Sequence, residues 1–363
     1  LDEGISPLGF DYDNKTMYVT SDIGRETAAV YTYDPETDEL GELLFGHDEV
    51  DVGGLIMSRE QKKLLGVTYF DDYPRRHYFD EVEGQIIAKL EEAFPGKTVS
   101  IVSATKDETL NILLVHNDRD PGSYYLYDRK AGQVRFLVSR MDWIDPQRML
   151  PMQPIEFDAR DGLKIRGYVT VPKDREDGEK LPLIVNPHGG PFGVRDYWGY
   201  NPEHQFFASR GYAVVQVNYR GSGGYGRDFE QAGYGEWGRE MQHDLSDAVH
   251  YLVEEGIADP DRVCIYGGSY GGYATMAGMT FTPELYRCGI NYVGVTDVPL
   301  LFDSMPRHWE PLKELMKAQI GDPKDEEFMD SISPIEHVDN IDDPILIVHG
   351  RRDPRVVIEP VSY

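Results

Sequence analysis

The sequence predicts an all-β amino-terminal part, read as an incomplete β-propeller of about three blades, followed by an α/β domain with a mostly parallel sheet and helices on both faces. Three observations carry this. Strand–turn–strand patterns start at positions 31, 77 and 124, 46 and 47 residues apart. From Leu181 onward near-continuous apolar runs alternate with helical ones, the pattern of a parallel sheet covered on both sides. Between one such strand and one such helix lies Gly267-Gly268-Ser269-Tyr270-Gly271, a serine at a glycine-flanked corner.

Residues 1–140 hold the repeats. The stretches from Tyr31 and from Tyr124 read as hairpins: an aromatic strand, an Asp/Gly turn, a second strand. The copy from His77 is interrupted, because residues 82–95 place Ile86, Ile87, Leu90 and Phe94 on one helical face and read as an inserted helix. A period of this length built from short strands marks a propeller, whose four-stranded blades bury their faces only against neighbouring blades. The alternative is a plain antiparallel sheet. Three blades are fewer than the ~4–8 that close a ring, so earlier blades are expected to precede this chain.

Residues 141–154 read as an irregular connector, punctuated by Pro146, Pro151 and Pro154. Residues 155–363 form the α/β domain, which opens on a hairpin. Its further strands are expected at 181–185, 213–217, 263–266, 288–295 and 345–348. Helices are expected at 205–210, 238–255 and 273–279; in the second, Met241, Leu245, Ala248, Val249 and Leu252 recur at helical spacing.

Composition excludes several functions. The 363 residues carry a net charge of −28, with a pI near 4.6, the opposite of a nucleic-acid-binding footprint. No apolar run approaches the ~18 residues of a membrane span. The two cysteines, Cys264 and Cys288, have no metal-ligand spacing and sit in apolar strands, so they read as two buried free thiols. No metal or cofactor is expected. The reading is a cytoplasmic protein, with self-association left open.

Three stretches besides the serine corner follow strands and bear on chemistry. At the corner itself, glycines leave room for a sharp strand-to-helix turn that exposes the serine hydroxyl, and the helix N-terminus beyond favours developing negative charge. Asn186-Pro-His-Gly-Gly-Pro191 places glycine N–H groups at a strand end, where they can hold an oxyanion. His188 lies inside that loop and reads as structural rather than as a base. Asn218-Tyr-Arg-Gly-Ser-Gly-Gly-Tyr-Gly-Arg227 lacks the G-K-S/T of a phosphate loop. It reads as a crevice loop in which Tyr219 and Tyr225 wall a pocket, or else as a turn with exposed tyrosines. Asp353 follows the last strand, where an orienting acid belongs; the alternative is a capping or ion-pairing Asp beside Arg351, Arg352 and Arg355.

Together these stretches resemble the prolyl oligopeptidase family of serine peptidases, its acylaminoacyl-peptidase-like branch above all. The resemblance covers 155–363, and the blades agree with that family's propeller, which gates access to the site. It implies an α/β-hydrolase fold with Ser269 as nucleophile and Asp353 as the acid orienting the base. The N–H groups of Tyr270 and Gly190 would form the oxyanion hole, and Arg355 would contact substrate, with Arg351 and Arg352 competing for that role. The implied partner is a small peptide, short or N-blocked. A carboxylesterase on the same fold and a non-catalytic propeller scaffold are the alternatives. This fold orders its triad Ser, Asp, His, yet no histidine follows His349. The expectation is therefore a fragment cut at both ends and inactive by itself, with its catalytic histidine beyond Tyr363.

Overall fold

A computed structural model describes residues 4–358 apart from Asp174 and Asp177. The chain divides into two units. The first comprises residues 1–152 with the short segments 197–205 and 224–227, and the second the remainder.

In the first unit, three antiparallel sheets succeed one another. Strands β1 (Ile5–Phe10), β2 (Met17–Ser21), β3 (Ala29–Asp34) and β4 (Glu39–Phe45) form the first, in sequence order. Strands β5 (Val52–Ser58), β6 (Lys63–Phe70) and β7 (Pro74–Tyr78) form a three-stranded second sheet. The third holds β8 (Thr98–Ala104), β9 (Leu110–His116), β10 (Ser123–Asp128) and β11 (Gln133–Ser139). These are propeller blades. The interruption in the middle copy is helix α1 (Glu81–Glu92), started by the Asp80 carboxylate, which accepts from the Glu83 N–H at 3.0 Å. Its Ile87 and Leu90 pack with Val99, Leu113, Val115 and Tyr127 of the third sheet. The connector is anchored rather than loose: Gln205 bonds both backbone groups of Leu150, and Asp118 accepts from the Met152 N–H at 2.8 Å.

The second unit is an α/β-hydrolase domain built on a seven-stranded sheet. Its strands are β12 (Met152–Asp158), β13 (Lys164–Thr170), β14 (Leu181–Val185), β15 (Ala213–Asn218), β16 (Ala258–Gly268), β17 (Cys288–Tyr292) and β18 (Ile345–Val348). The spatial order is β12-β13-β15-β14-β16-β17-β18. The five strands from β15 to β18 run parallel, and β13 is antiparallel to β15. Helix α2 (Pro202–Ala208) leads into β15. Short α3 (Arg227–Gln231) and then α4 (Glu240–Glu254) lead into β16, and α5 (Tyr270–Phe281) leads into β17. The path from β14 to β15 moves one way across the sheet, and the paths to β16 and β17 move the other way. Helices α4 and α5 pack on the sheet strands they connect. Apolar strand residues such as Leu183, Val185, Val215, Val217, Val263 and Ile265 form one core with Met241, Leu245 and Leu252 of α4.

The sequence reading of two free thiols is corrected. Cys264 and Cys288 are paired partners on adjacent strands β16 and β17, with Cα atoms 4.7 Å apart, and they form a disulfide. Neighbouring parallel strands in this register bring the two side chains to the same face of the sheet. Closing a loop of 24 residues' separation stabilises a domain by about 3 kcal/mol in the chain-entropy model. Reduction is expected to lower the urea-unfolding free energy of this unit by about that amount, and thiol titration of the unfolded, unreduced protein to find no free cysteine. Two free thiols with unaltered stability on adding reductant would contradict the bond.

Candidate active site

Strand β16 ends at Gly268, and α5 begins at Tyr270. Ser269 alone makes the turn, at φ 58° and ψ −119°, a conformation that L-residues avoid at a cost of roughly 1–3 kcal/mol. Neighbours hold it there. The Ser269 N–H donates to the Tyr292 carbonyl at 3.0 Å, and the Ser269 carbonyl accepts from the Tyr273 N–H at 3.0 Å. Room for the turn comes from glycine: a methyl group on Gly271 would overlap the Pro187 carbonyl, and one on Gly267 would overlap Gly271 itself. The Ser269 side chain is exposed.

Register then places the other candidates. Gly268 pairs with Tyr292, and Tyr292 with Val348. The carboxyl ends of three adjacent strands are thus level, with Ser269 just past one and Asp353 in the loop past the third. Adjacent strands lie roughly 4.8 Å apart, so the two loops leave the sheet about 10 Å apart at the same end, the ligand-binding end of an open α/β sheet. Asp353 Oδ1 accepts from the N–H groups of Arg355 and Val356 at 2.9 and 3.0 Å. Partial burial pushes its carboxyl up, but those two N–H donors, with the His349 and Arg355 charges, outweigh it and hold it below its ordinary value. Asp353 is therefore ionised and oriented at neutral pH.

The loop after β14 closes over the corner. A methyl group built on Gly189 would sit 3.4 Å from Ser269 Cβ and 3.9 Å from its Oγ. Gly190 is exposed, at φ 126°. Among the described residues neither the Gly190 N–H nor the Tyr270 N–H donates to a protein acceptor.

His188 has the structural place expected of it. Its Nδ1 lies 2.8 Å from the Gly189 carbonyl, its Nε2 lies 2.9 Å from Ser222 Oγ, and its ring stacks on Tyr219 at 4.4 Å. Burial pulls its imidazole down to about 4, so the ring is neutral at neutral pH. The expectation for Tyr219 and Tyr225 as pocket walls is corrected. Tyr219 is fully buried, and its hydroxyl donates to the His188 carbonyl at 2.8 Å. Its ring joins Tyr270, Tyr273 and Trp237 in an aromatic floor under the corner. Tyr225 is also buried, in the segment 224–227, which belongs with the amino-terminal unit: the Asp51 N–H donates to the Gly224 carbonyl at 3.0 Å. Arg355 is exposed and lies over the Trp309 ring, 6.0 Å from its centroid. It lines a cleft with Thr296, Asp297, Leu300, Leu301 and Ser304. Arg351 and Arg352 are exposed and do not line that cleft.

Two buried ionic features escaped the sequence reading. Arg220 is held by both oxygens of the fully buried Asp244, through its N–H, Nε and Nη2 at 2.8–2.9 Å, and reaches Asp161 with Nη1. Asp196 follows the Gly189–Gly190 loop. Its backbone exchanges hydrogen bonds with the Asn218 side chain, while its Oδ2 is buried with no partner among the described residues. No group of three or more His, Cys, Asp or Glu among the described residues could hold a metal ion, and no helix among them is long and apolar enough to cross a membrane.

Burial pushes the Asp196 carboxyl up from 3.8 to about 7, against opposing help from Gln216 and Arg195. A raised folded-state value means that the folded chain holds the proton more tightly than the unfolded one. The contribution to stability is then whole below about pH 4 and lost as pH rises through about 7. Asp196→Asn is expected to remove this slope, matching the parent near pH 4 and exceeding its stability at pH 8 in urea unfolding. Parallel pH–stability curves for the two proteins would contradict the assignment.

Comparison with known proteins agrees with this geometry. Residues 198–362 match the model of the prolyl oligopeptidase family. The chain is 37% identical over 362 residues to dipeptidyl aminopeptidase BIII of Pseudoxanthomonas mexicana, covering 97% of this chain and 52% of that protein. It superposes on a puromycin-hydrolyzing peptidase of Mycobacterium tuberculosis with a TM-score of 0.79 at 25% identity, covering 98% of this chain and 54% of that one. It superposes on the acylaminoacyl peptidase of Pyrococcus horikoshii with a TM-score of 0.71 at 25% identity, covering 99% and 56%. The chain spans about half the length of the curated relatives it matches. With its serine corner, its level strand ends and these likenesses in hand, the chain belongs to the prolyl oligopeptidase family of serine peptidases.

Proposed function

We propose that the protein hydrolyses short peptides, free or N-blocked at the amino end, through an acyl-enzyme on Ser269. The observation that carries this reading is the exposed Ser269 hydroxyl at a left-handed corner, crossed by Gly189 and Gly190 and level with the Asp353 loop. Ser269 Oγ attacks the peptide carbonyl and gives its proton to an imidazole. The Tyr270 and Gly190 N–H groups hold the oxyanion. The C–N bond then breaks, the amine leaves with that proton, and water releases the acyl group by the same steps in reverse. Asp353, ionised and held by two N–H groups, orients the imidazole. Neither His188, half-buried against Ser222, nor His349, whose Nε2 lies 2.8 Å from the Val356 carbonyl, is placed for that role. The reading requires a further histidine, as the chain order of this fold implies. The cleft lined by Arg355 is the proposed contact for substrate. The Cys264–Cys288 bond fits an oxidising compartment in place of the cytoplasm that the sequence suggests.

In the full-length protein, Ser269→Ala is expected to lower kcat/KM on peptide anilides by at least about 10⁴-fold, and Asp353→Asn by about 10³–10⁴-fold, each with unaltered thermal unfolding. Steady-state kinetics on a free dipeptidyl anilide, an N-acyl-aminoacyl anilide and an acyl ester separate peptidase from esterase. An active Ser269→Ala protein, or turnover of the ester alone, would overturn the reading.

A further inference from the structure

We infer that Asn291 is a positioning residue: its buried side chain holds a strained left-handed turn at Val293, and that turn sets the peptide unit that ties the Ser269 corner to the strand leading into the Asp353 loop. This rests on the reading of Ser269 as nucleophile, and it concerns two residues that the proposed chemistry does not itself use.

The peptide unit is the one between Tyr292 and Val293. Its carbonyl accepts from the Ser269 N–H at 3.0 Å, and its N–H donates to the Val348 carbonyl at 2.9 Å. A peptide is planar, so the two bonds lie at opposite ends of one rigid beam. One end supports the corner after β16. The other meets the last residue of β18, and the loop that follows carries Asp353. A tilt of the beam shifts the nucleophile against the acid.

Just past the beam the chain turns left-handed. Val293 has φ 49°, which for a β-branched residue is a strained conformation. Nothing in the residue itself favours the turn, so its surroundings impose it. Asn291 supplies the bond. It is fully buried on β17, and its Oδ1 accepts from the Gly294 N–H at 2.8 Å, the kind of local side-chain bond that lets Asn close a turn. The other side of the turn is packed. A methyl group on Gly272, in the first turn of α5, would lie 2.6 Å from Gly294 Cα and 2.7 Å from Asn291 Oδ1, and one on Gly294 would overlap the Gly272 backbone. Asn291 and Gly294 thus pack together against the helix that starts at the nucleophile.

Without Oδ1, the buried Gly294 N–H loses its acceptor, and Val293 relaxes toward an ordinary negative φ. That rotation turns the beam against the residues after it: either the beam tilts or Gly294 leaves Gly272. Glycine at 293 removes the drive, because it takes up a positive φ without strain. The Asn291 clamp is therefore needed because a valine stands at 293.

The test is a double-mutant cycle in the full-length protein, read by kcat on a peptide anilide, by the rate of fluorophosphonate labelling at Ser269 and by thermal unfolding. Asn291→Ala is expected to lower kcat and the labelling rate together by about 10–100-fold, measured well below its unfolding temperature. Val293→Gly is expected to raise the unfolding midpoint by relieving strain. The double variant is expected to regain kcat to within about threefold of Val293→Gly alone. A role in folding only would lower the midpoint of Asn291→Ala and leave its kcat and labelling rate at the parent's values, and that result would overturn the inference. So would a double variant no more active than Asn291→Ala, or a lowered midpoint for Val293→Gly. If Asn291→Ala does not fold, the double variant compared with Val293→Gly decides: kcat within about threefold supports the clamp, and a larger deficit overturns it. An active Ser269→Ala protein measured alongside would instead mark failure of the nucleophile reading.

Discussion

The left-handed backbone at Ser269 is the constraint on which the rest of the hydrolase domain depends. A single residue must end a strand, begin a helix and present its side chain outward. That conformation is unfavourable by roughly 1–3 kcal/mol, so it persists only where its surroundings over-determine it. They do so with backbone: the Tyr292 carbonyl on one side, the Tyr273 N–H on the other, and the Pro187 carbonyl pressed against Gly271. The three contacts come from a neighbouring strand, from helix α5 and from the loop after β14. The parallel register of β14, β16, β17 and β18 is what brings them to one level.

Around the corner, support is arranged in layers. Glycine loops approach Ser269 directly. Behind them stand aromatic rings with fully buried hydroxyls, and behind those a buried ion pair. Arg220 and Asp244 form that outermost layer, and removal of one partner would strand the other charge at a cost of about 3–5 kcal/mol. The pair contributes rigidity to the crevice loop that carries Tyr219 and Ser222.

Much of this arrangement was legible in the chain. The final strand, Ile345–Val348, has the expected bounds, because four consecutive apolar residues follow Pro344 and give way to His349 and Gly350. Helix α4 shows at its 3.6 period, and α1 shows as the interruption in the blade repeat. The serine corner shows because glycines cluster where backbone must pass backbone. What did not show depends on contacts distant in sequence. Nothing local to Cys264 or Cys288 says that β16 and β17 are neighbours in register. Tyr219 and Tyr225 sit among glycines in a stretch that reads as a crevice loop, yet both are buried. Asp196 carries no sign of burial in its own neighbours; Asn218, which braces it, lies on another strand. His188 was legible as structural from its place in a glycine loop, but its hydrogen-bond partners were not.

The proposed nucleophile is one hydroxyl, that of Ser269 at the strand-to-helix corner. A fluorophosphonate forms a stable adduct with a serine only where the site activates the oxygen and accommodates the phosphoryl oxygen as an oxyanion. Peptide-mapping mass spectrometry of the labelled full-length protein tests this most directly. A single adduct is expected, on the peptide containing Ser269, and none once that residue is alanine. An adduct on another serine, or no adduct in a protein that turns over peptide, would contradict it.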